Sequence, residues 1–183
     1  MLIRRLVSSD ARAYQTLRLA ALCECPSAFG SSCEEECDTP LALIAERLAP
    51  ESGRNMFGAF DEAQLVGNIG VGRQTARKLA HKGFVRGMYV APDFRNQGIG
   101  RKPMTQALRF AVSMHGLRQL TLSVNATNAG ALALYEAMGF KSFGVEPAAL
   151  LIDSELHDEI HMVRFIYEEE NRTKHSLHVS YPV

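Results

Sequence analysis

The sequence has no net charge: twenty lysines and arginines balance twenty aspartates and glutamates over 183 residues. A chain that gripped nucleic acid or an anionic membrane surface would carry a basic excess, so neither partner is expected. No apolar run approaches the length of a membrane span, and the opening MLIRRLVSSDA lacks the apolar core of a secretion signal. A cytoplasmic setting follows as the expectation. Cysteine is scarce and confined to one stretch, as Cys23, Cys25, Cys33 and Cys37. Their arrangement, C-x-C, seven residues, then C-x3-C, matches no common zinc spacing, so no metal is expected and the four read as reduced thiols in a helical segment. No internal repeat is present.

What remains is an ordinary globular balance, 46% apolar and 22% charged residues. The length suits one domain with a sizeable core, expected over residues 1–167, followed by a polar tail at 168–183. LIRRLV is a short strand candidate, and Ser8, Ser9 or Asp10 can cap a helix over ARAYQTLRLAALCE. CPSAFGSSCEEECDTP breaks into loop or fragmentary helix, and LALIAERLAPE is a second amphipathic helix stopped near Pro50 and Gly53. NMFGAFD and QLVGNIGVGRQ flank a turn and read as a hairpin, with GFVRGMYVAP as a third strand. A helix from about Gly98 to His115, the strand RQLTLSV, a helix over NAGALALYEAM and a final strand pair complete a mixed α/β (α+β) order.

The stretch MYVAPDFRNQGIGR places a glycine-rich turn between a strand and a helix. The first turn of a helix has N–H groups without intrahelical acceptors and carries partial positive charge. Gly98 and Gly100 clear side chains from such donors, and Arg95 and Arg101 set positive charge beside them. The stretch is neither G-x-x-x-x-G-K-[ST] nor G-x-G-x-x-G, because Pro103 stands where the third glycine would be, so a P-loop or dinucleotide fold is not indicated. The proline is tolerable if the helix is capped near Gly100, and disruptive if it is capped at Gly98.

In its R-x-x-G-x-G form the stretch resembles the cofactor motif of the GNAT superfamily of acetyl-CoA-dependent N-acetyltransferases. NATNAGALALYEAMGF resembles the next motif of that superfamily through Asn128, Ala131, Leu134, Tyr135, Gly139 and Phe140. The resemblance covers residues 2 to about 167. It implies a mixed, mostly antiparallel sheet of about seven strands, splayed between strands 4 and 5, with about four flanking helices. It further implies acetyl-CoA as cosubstrate. Main chain at Met88, Tyr89 and Val90 would hold the pantetheine and polarise the thioester carbonyl. Arg95, Asn96, Gln97, Gly98, Ile99, Gly100 and Arg101 would wrap the pyrophosphate, and Asn128 would bond the pantetheine arm. Tyr135, two helical turns beyond Asn128, would protonate the departing thiolate. The acceptor implied is a primary amine of a small molecule or peptide, attacked directly in a ternary complex; a homodimer is possible.

One expected group is missing. An alkylammonium with a pKa near 10 is only about one part in a thousand free at pH 7, a deficit of roughly 4 kcal/mol. Many relatives place a glutamate on the strand before the phosphate loop, whereas KGFVRGMYV offers Arg86 and Gly87. Glu36 and Glu159 are the candidate bases or amine contacts, with Glu34, Glu35, Asp153, Asp158 and His81 as substitutes and a water chain as another route. The segments expected to build the acceptor pocket carry acids, which suits a cationic amine. Two other readings stand beside transfer: a CoA-binding regulatory or interaction module without turnover, and a zinc-stabilised binding protein.

Overall fold

The computed structural model describes residues 1–49 and 55–166. The expected polar tail at 168–183, and the Pro50–Gly53 stop of the second helix, lie outside the described residues. Seven strands form one sheet: β1 (Leu2–Arg5), β2 (Asn55–Asp61), β3 (Gln64–Arg73), β4 (Lys82–Val90), β5 (Gln119–Asn125), β6 (Lys141–Ile152) and β7 (Glu155–Phe165). Their spatial order is β1-β2-β3-β4-β5-β7-β6. Every neighbouring pair is antiparallel except β4 and β5.

That parallel pair explains the shape of the molecule. It is registered only over Lys82–Phe84 against Gln119–Thr121. Beyond Phe84 the two strands part, and β5 continues its ladder with β7 as far as Asn125 opposite Glu159. The sheet is therefore splayed in the middle: among the described residues no ladder joins β4 to β5 beyond Phe84.

Helices cover both faces. On one face lie α1 (Ala11–Glu24), the single turn α2 (Cys33–Glu36) and α3 (Leu41–Leu48). Ile44 and Leu48 of α3, four apart, join Leu17, Ala21 and Leu22 of α1 over Met56, Phe60 and Leu65. On the other face lie α4 (Arg101–Ser113) and α5 (Ala129–Ala137). Met104, Ala107, Leu108 and Ala111 of α4 repeat at helical spacing and pack with Phe57, Ile69, Val71 and Leu120. Leu120 and Met162 are fully buried, each contributing about 1.5–3 kcal/mol of apolar burial.

The expected strands and helices are present, with shifts at several of their ends. The loop before α3 is broken by α2, which Ser32 and Glu35 close as a reciprocal capping box. Strand β1 ends at Arg5, although Leu6 N–H still bonds the Met56 carbonyl. Helix α4 begins at Arg101 rather than Gly98. Asn96 and Gly98 have φ of 59° and 69°, a left-handed conformation that a right-handed helix cannot contain.

Candidate active site

The loop between β4 and α4 is pinned from below and bare on top. Ile99 is buried against Ala59 and Val66, with Val90 and Phe94 beside it. A Cβ on Gly100 would come within 3.0 Å of Met88 Cε and 3.5 Å of Leu134, so this glycine lets the loop close onto both walls of the splay. At Gly98 a Cβ would meet nothing; there the positive φ is what calls for glycine. Among the described residues, the amides of Asn96, Gln97, Gly98, Ile99 and Gly100 donate to no protein acceptor. Consecutive N–H groups of alternating handedness form a concavity suited to an anion.

Pro103 fits this loop. Arg101 N–H bonds the Gly98 carbonyl at 3.2 Å and Lys102 N–H the Ile99 carbonyl at 3.1 Å, a tightened first turn. With Gly100 as the cap, position 103 lies among the amides that have no helical partner in any case. Its ring is fully buried.

Arg95 turns away from the loop. Its guanidinium pairs with both oxygens of Glu24, at 2.8 and 2.9 Å, and its Nε donates to the Val90 carbonyl at 2.9 Å. Tyr89 donates its hydroxyl to the same Glu24 carboxylate. Burial, followed by that carboxylate, pushes the Tyr89 phenol up to about 12. This trio ties the end of α1 to the end of β4, so Arg95 and Tyr89 face the splay with their main chain.

Strand β4 carries a bulge opposite Asn68–Gly70. Gly87 sits there with φ 60°, and buried Asn68 donates Nδ2 to its carbonyl at 2.7 Å. A small cleft of about 70 Å³ follows, between Arg86–Met88 on one side and Leu122–Asn125, Asn128 and Tyr135 on the other. Asn128 caps α5, its Oδ1 accepting from Ala131 N–H at 3.0 Å; its amide end is not used by the cap. Tyr135 is buried edge-on to Phe140, and burial pushes its hydroxyl up to about 12, so it keeps its proton at neutral pH. Asn125 is 3% exposed, and its Nδ2 has no acceptor among the described residues.

The cleft opens into a cavity of about 650 Å³; Arg86, Gly87, Leu122 and Ser123 line both. The two carboxylates expected from the sequence behave differently in it. Glu36 is clamped by Arg18, at 2.8 and 3.1 Å, and that contact holds it below the usual carboxylate range. Glu159 has no hydrogen-bond partner among the described residues, and burial raises it above that range. Beside it, His161 is held between Ser123 Oγ at 2.8 Å and Glu146 at 2.9 Å. Glu34, Glu35, Asp153, Asp158 and His81 do not line the cavity. The acids expected of this pocket are joined by arginines. Among the described residues, Arg18, Arg47 and Arg86 line it together with Glu36 and Glu159.

Residues 18–140 match the model of the acetyltransferase (GNAT) family. The chain belongs to the GNAT acetyltransferase family. Among curated GNAT relatives, N-alpha-acetyltransferase MAK3 of Arabidopsis thaliana is 35% identical over 84 residues, 46% of this chain and 43% of that protein. The ribosomal protein bS18-alanine N-acetyltransferase of Escherichia coli K12 is 43% identical over 51 residues, 28% of this chain and 34% of that protein. The chain thus spans less than half the length of either. A solved GNAT structure, the phosphinothricin acetyltransferase of Sinorhizobium meliloti in complex with acetyl-CoA, superimposes with a TM-score of 0.77 at 18% identity, covering 90% of this chain and 88% of that one. The splayed sheet is the fold of this family. Among the described residues, no three His, Cys, Asp or Glu side chains gather as a metal-ligand set.

Sequence reasoning did not single out Asn68, Asn125, Arg18, Arg47, Ser123 or His161. Asn68 had a signal, a lone amide inside the apolar run LVGNIGVG. The others come from segments too far apart in the chain to be read together.

Proposed function

We propose that the chain transfers an acetyl group from acetyl-CoA to a primary amine of a small molecule or peptide, by direct attack in a ternary complex. The observation that carries this reading is a continuous run of unpaired donors. Among the described residues it extends from the amides of 96–100, along the β4 edge at Met88 and Val90, to the orphaned Asn125 Nδ2 and the protonated Tyr135 in the cleft beside the acceptor cavity. A buried amide without a partner costs about 1–3 kcal/mol, so a donor like Asn125 calls for a carbonyl. The similarity to an N-alpha-acetyltransferase and to a ribosomal protein bS18-alanine N-acetyltransferase, and the acetyl-CoA seen in the phosphinothricin enzyme, support the assignment.

Acetyl-CoA supplies an acetyl group activated as a thioester. The loop amides of 96–100 hold its diphosphate, with Arg101 at the start of α4 adding charge. Main chain at Met88, Tyr89 and Val90, together with Asn128 Nδ2, aligns the pantetheine arm. The same main chain would polarise the thioester carbonyl, a placement worth a few kcal/mol where charge develops. Tyr135 Oη gives its proton to the departing sulfur; a phenol held near 12 donates only to a stronger base, which a leaving thiolate in a dry cleft becomes.

Glu159 takes the proton from the incoming ammonium. It is the unclamped carboxylate of the cavity, and a raised pKa brings it closer to the working pH. Ser123, His161 and Glu146 form a separate hydrogen-bonded chain beside it. Thiol release from acetyl-CoA across an amine panel tests the reading. Amine-dependent release that is lost in Tyr135→Phe is expected. Tight acetyl-CoA binding with no release for any amine would favour the silent CoA-binding module.

A further inference from the structure

Three neighbouring strands build a hydrogen-bonded chain that amine transfer does not use. Ser123 of β5 stands opposite His161 of β7 in an antiparallel ladder. Glu146 of β6 stands opposite Glu159, two residues from His161, so all three side chains share one face of the sheet. Ser123 Oγ lies 2.8 Å from His161 Nδ1, and His161 Nε2 lies 2.9 Å from a Glu146 oxygen. An ionised carboxylate only accepts, so Nε2 carries a proton, and the neutral ring then accepts the serine proton at Nδ1. Phe143 falls in a bulge of β6 and stacks on the ring, 6.0 Å between centres and 30° between planes. Two hydrogen bonds and a ring contact hold the imidazole in one orientation.

Hydroxyl, imidazole and carboxylate in this order are a nucleophile, its base and the group that orients the base; such a set is recognised by geometry and not by position in the chain. Its place in the fold matters as much. Ser123 is exposed and lines both the acceptor cavity and the small cleft that holds Asn125, Asn128 and Tyr135. An acetyl group carried on an arm in the cleft, and directed toward an amine in the cavity, has to pass this hydroxyl.

Resting on the transfer reading above, we propose that Ser123 is a second acetyl acceptor, so that without an amine the protein is a slow acetyl-CoA hydrolase working through an O-acetyl ester on Ser123. In the first step the Oγ–carbon bond forms and the carbon–sulfur bond breaks. His161 Nδ1 takes the serine proton, Tyr135 Oη protonates the departing sulfur, and the proton on the imidazolium returns to the tyrosine through water. In the second step water attacks the ester carbonyl and gives its proton to His161 Nδ1, which passes it to Ser123 Oγ as acetate leaves. No electrons change hands, and the serine, histidine and tyrosine are restored. Glu146 is 55% exposed, so water screens its hold on the ring, and hydrolysis is slow beside amine transfer.

The test uses the whole chain with acetyl-CoA and no amine. Thiol release is followed, and samples quenched in acid during the first turnovers are digested and read by mass spectrometry. The expected result is thiol release without amine and an acetyl group on Ser123, removed by hydroxylamine as an ester is and an amide is not. Ser123→Ala abolishes the ester and lowers this release at least about tenfold. His161→Gln lowers both by about a hundredfold and Glu146→Gln by about tenfold, an ordering that a merely structural role would not produce. Circular dichroism and acetyl-CoA binding report that each variant keeps its fold. No ester at Ser123, or amine-independent release that survives Ser123→Ala, overturns the proposal. Amine-dependent release and calorimetry on the same preparations separate its failure from failure of the transfer reading. Transfer to an amine with no ester at Ser123 sinks this inference alone, whereas acetyl-CoA that does not bind sinks both.

Discussion

The two halves of the site are made of different material. The loop from Arg95 to Arg101 presents main chain: its one buried side chain, Ile99, points into the protein, and its glycines have nothing to offer but N–H groups. The acceptor cavity presents side chains, drawn from α1, α2, α3, β4, β5 and β7. A site made of backbone depends on where the chain turns, whereas a site made of side chains depends on which residues happen to meet. The first should resist side-chain substitution and fail when φ is disturbed. The second should do the opposite.

The largest effect expected lies where the two halves join. Tyr135→Phe should lower kcat by about a hundredfold or more, the range for losing a positioned proton donor, with acetyl-CoA affinity nearly unchanged. Next come the carboxylates of the cavity. Burial holds Glu159 above the ordinary carboxylate range, so kcat/KM should rise with pH as that carboxyl ionises. Glu159→Gln should remove this acidic limb and cost about ten- to a hundredfold, whereas Glu36→Gln should keep the limb and raise the acceptor KM a few-fold. If His161→Gln removes the limb and Glu159→Gln does not, the base is the Ser123–His161–Glu146 chain.

On the backbone side, Gly98→Ala should weaken acetyl-CoA about tenfold, because an alanine at φ 69° is disfavoured by about 1–2 kcal/mol. Asn96→Ala and Gln97→Ala should change that affinity by less than about threefold, since their amides survive the substitution. Smallest of all is Pro103→Leu, expected within about twofold, because its missing N–H falls where no helical partner exists. Equilibrium titration with acetyl-CoA measures all four. A large gain from Pro103→Leu would mean that the first turn is damaged rather than adapted.

The same contrast explains what the sequence made legible. Strand, glycine turn and helix are contiguous, so MYVAPDFRNQGIGR could be read as one device, and its partner motif NATNAGALALYEAMGF lies one helix and one strand further on. The two strand-like runs flanking the DEA turn likewise carried the β2–β3 hairpin. The start of α4 was misplaced because glycine signals freedom without saying which conformation is taken; φ of 69° at Gly98 excludes it from the helix. The charge of the acceptor cavity was not legible. EEE at 34–36 looked like an acidic wall, yet Glu35 caps its own helix and Glu36 is neutralised by Arg18, eighteen residues earlier. Arg86 stood out only as the place of a missing glutamate, and Arg47 gave no signal; the fold brings both to the cavity wall. The match to family also stops at residue 140, before β7 contributes Glu159 and His161.

Amide hydrogen exchange with and without acetyl-CoA tests the central claim most directly. Exchange at Asn96, Gln97, Gly98, Ile99 and Gly100 should slow by at least about tenfold on binding, together with the β4 edge at Met88 and Val90, because these free donors acquire acceptors. Binding that protects other segments and leaves 96–100 exchanging at the unliganded rate would contradict the account.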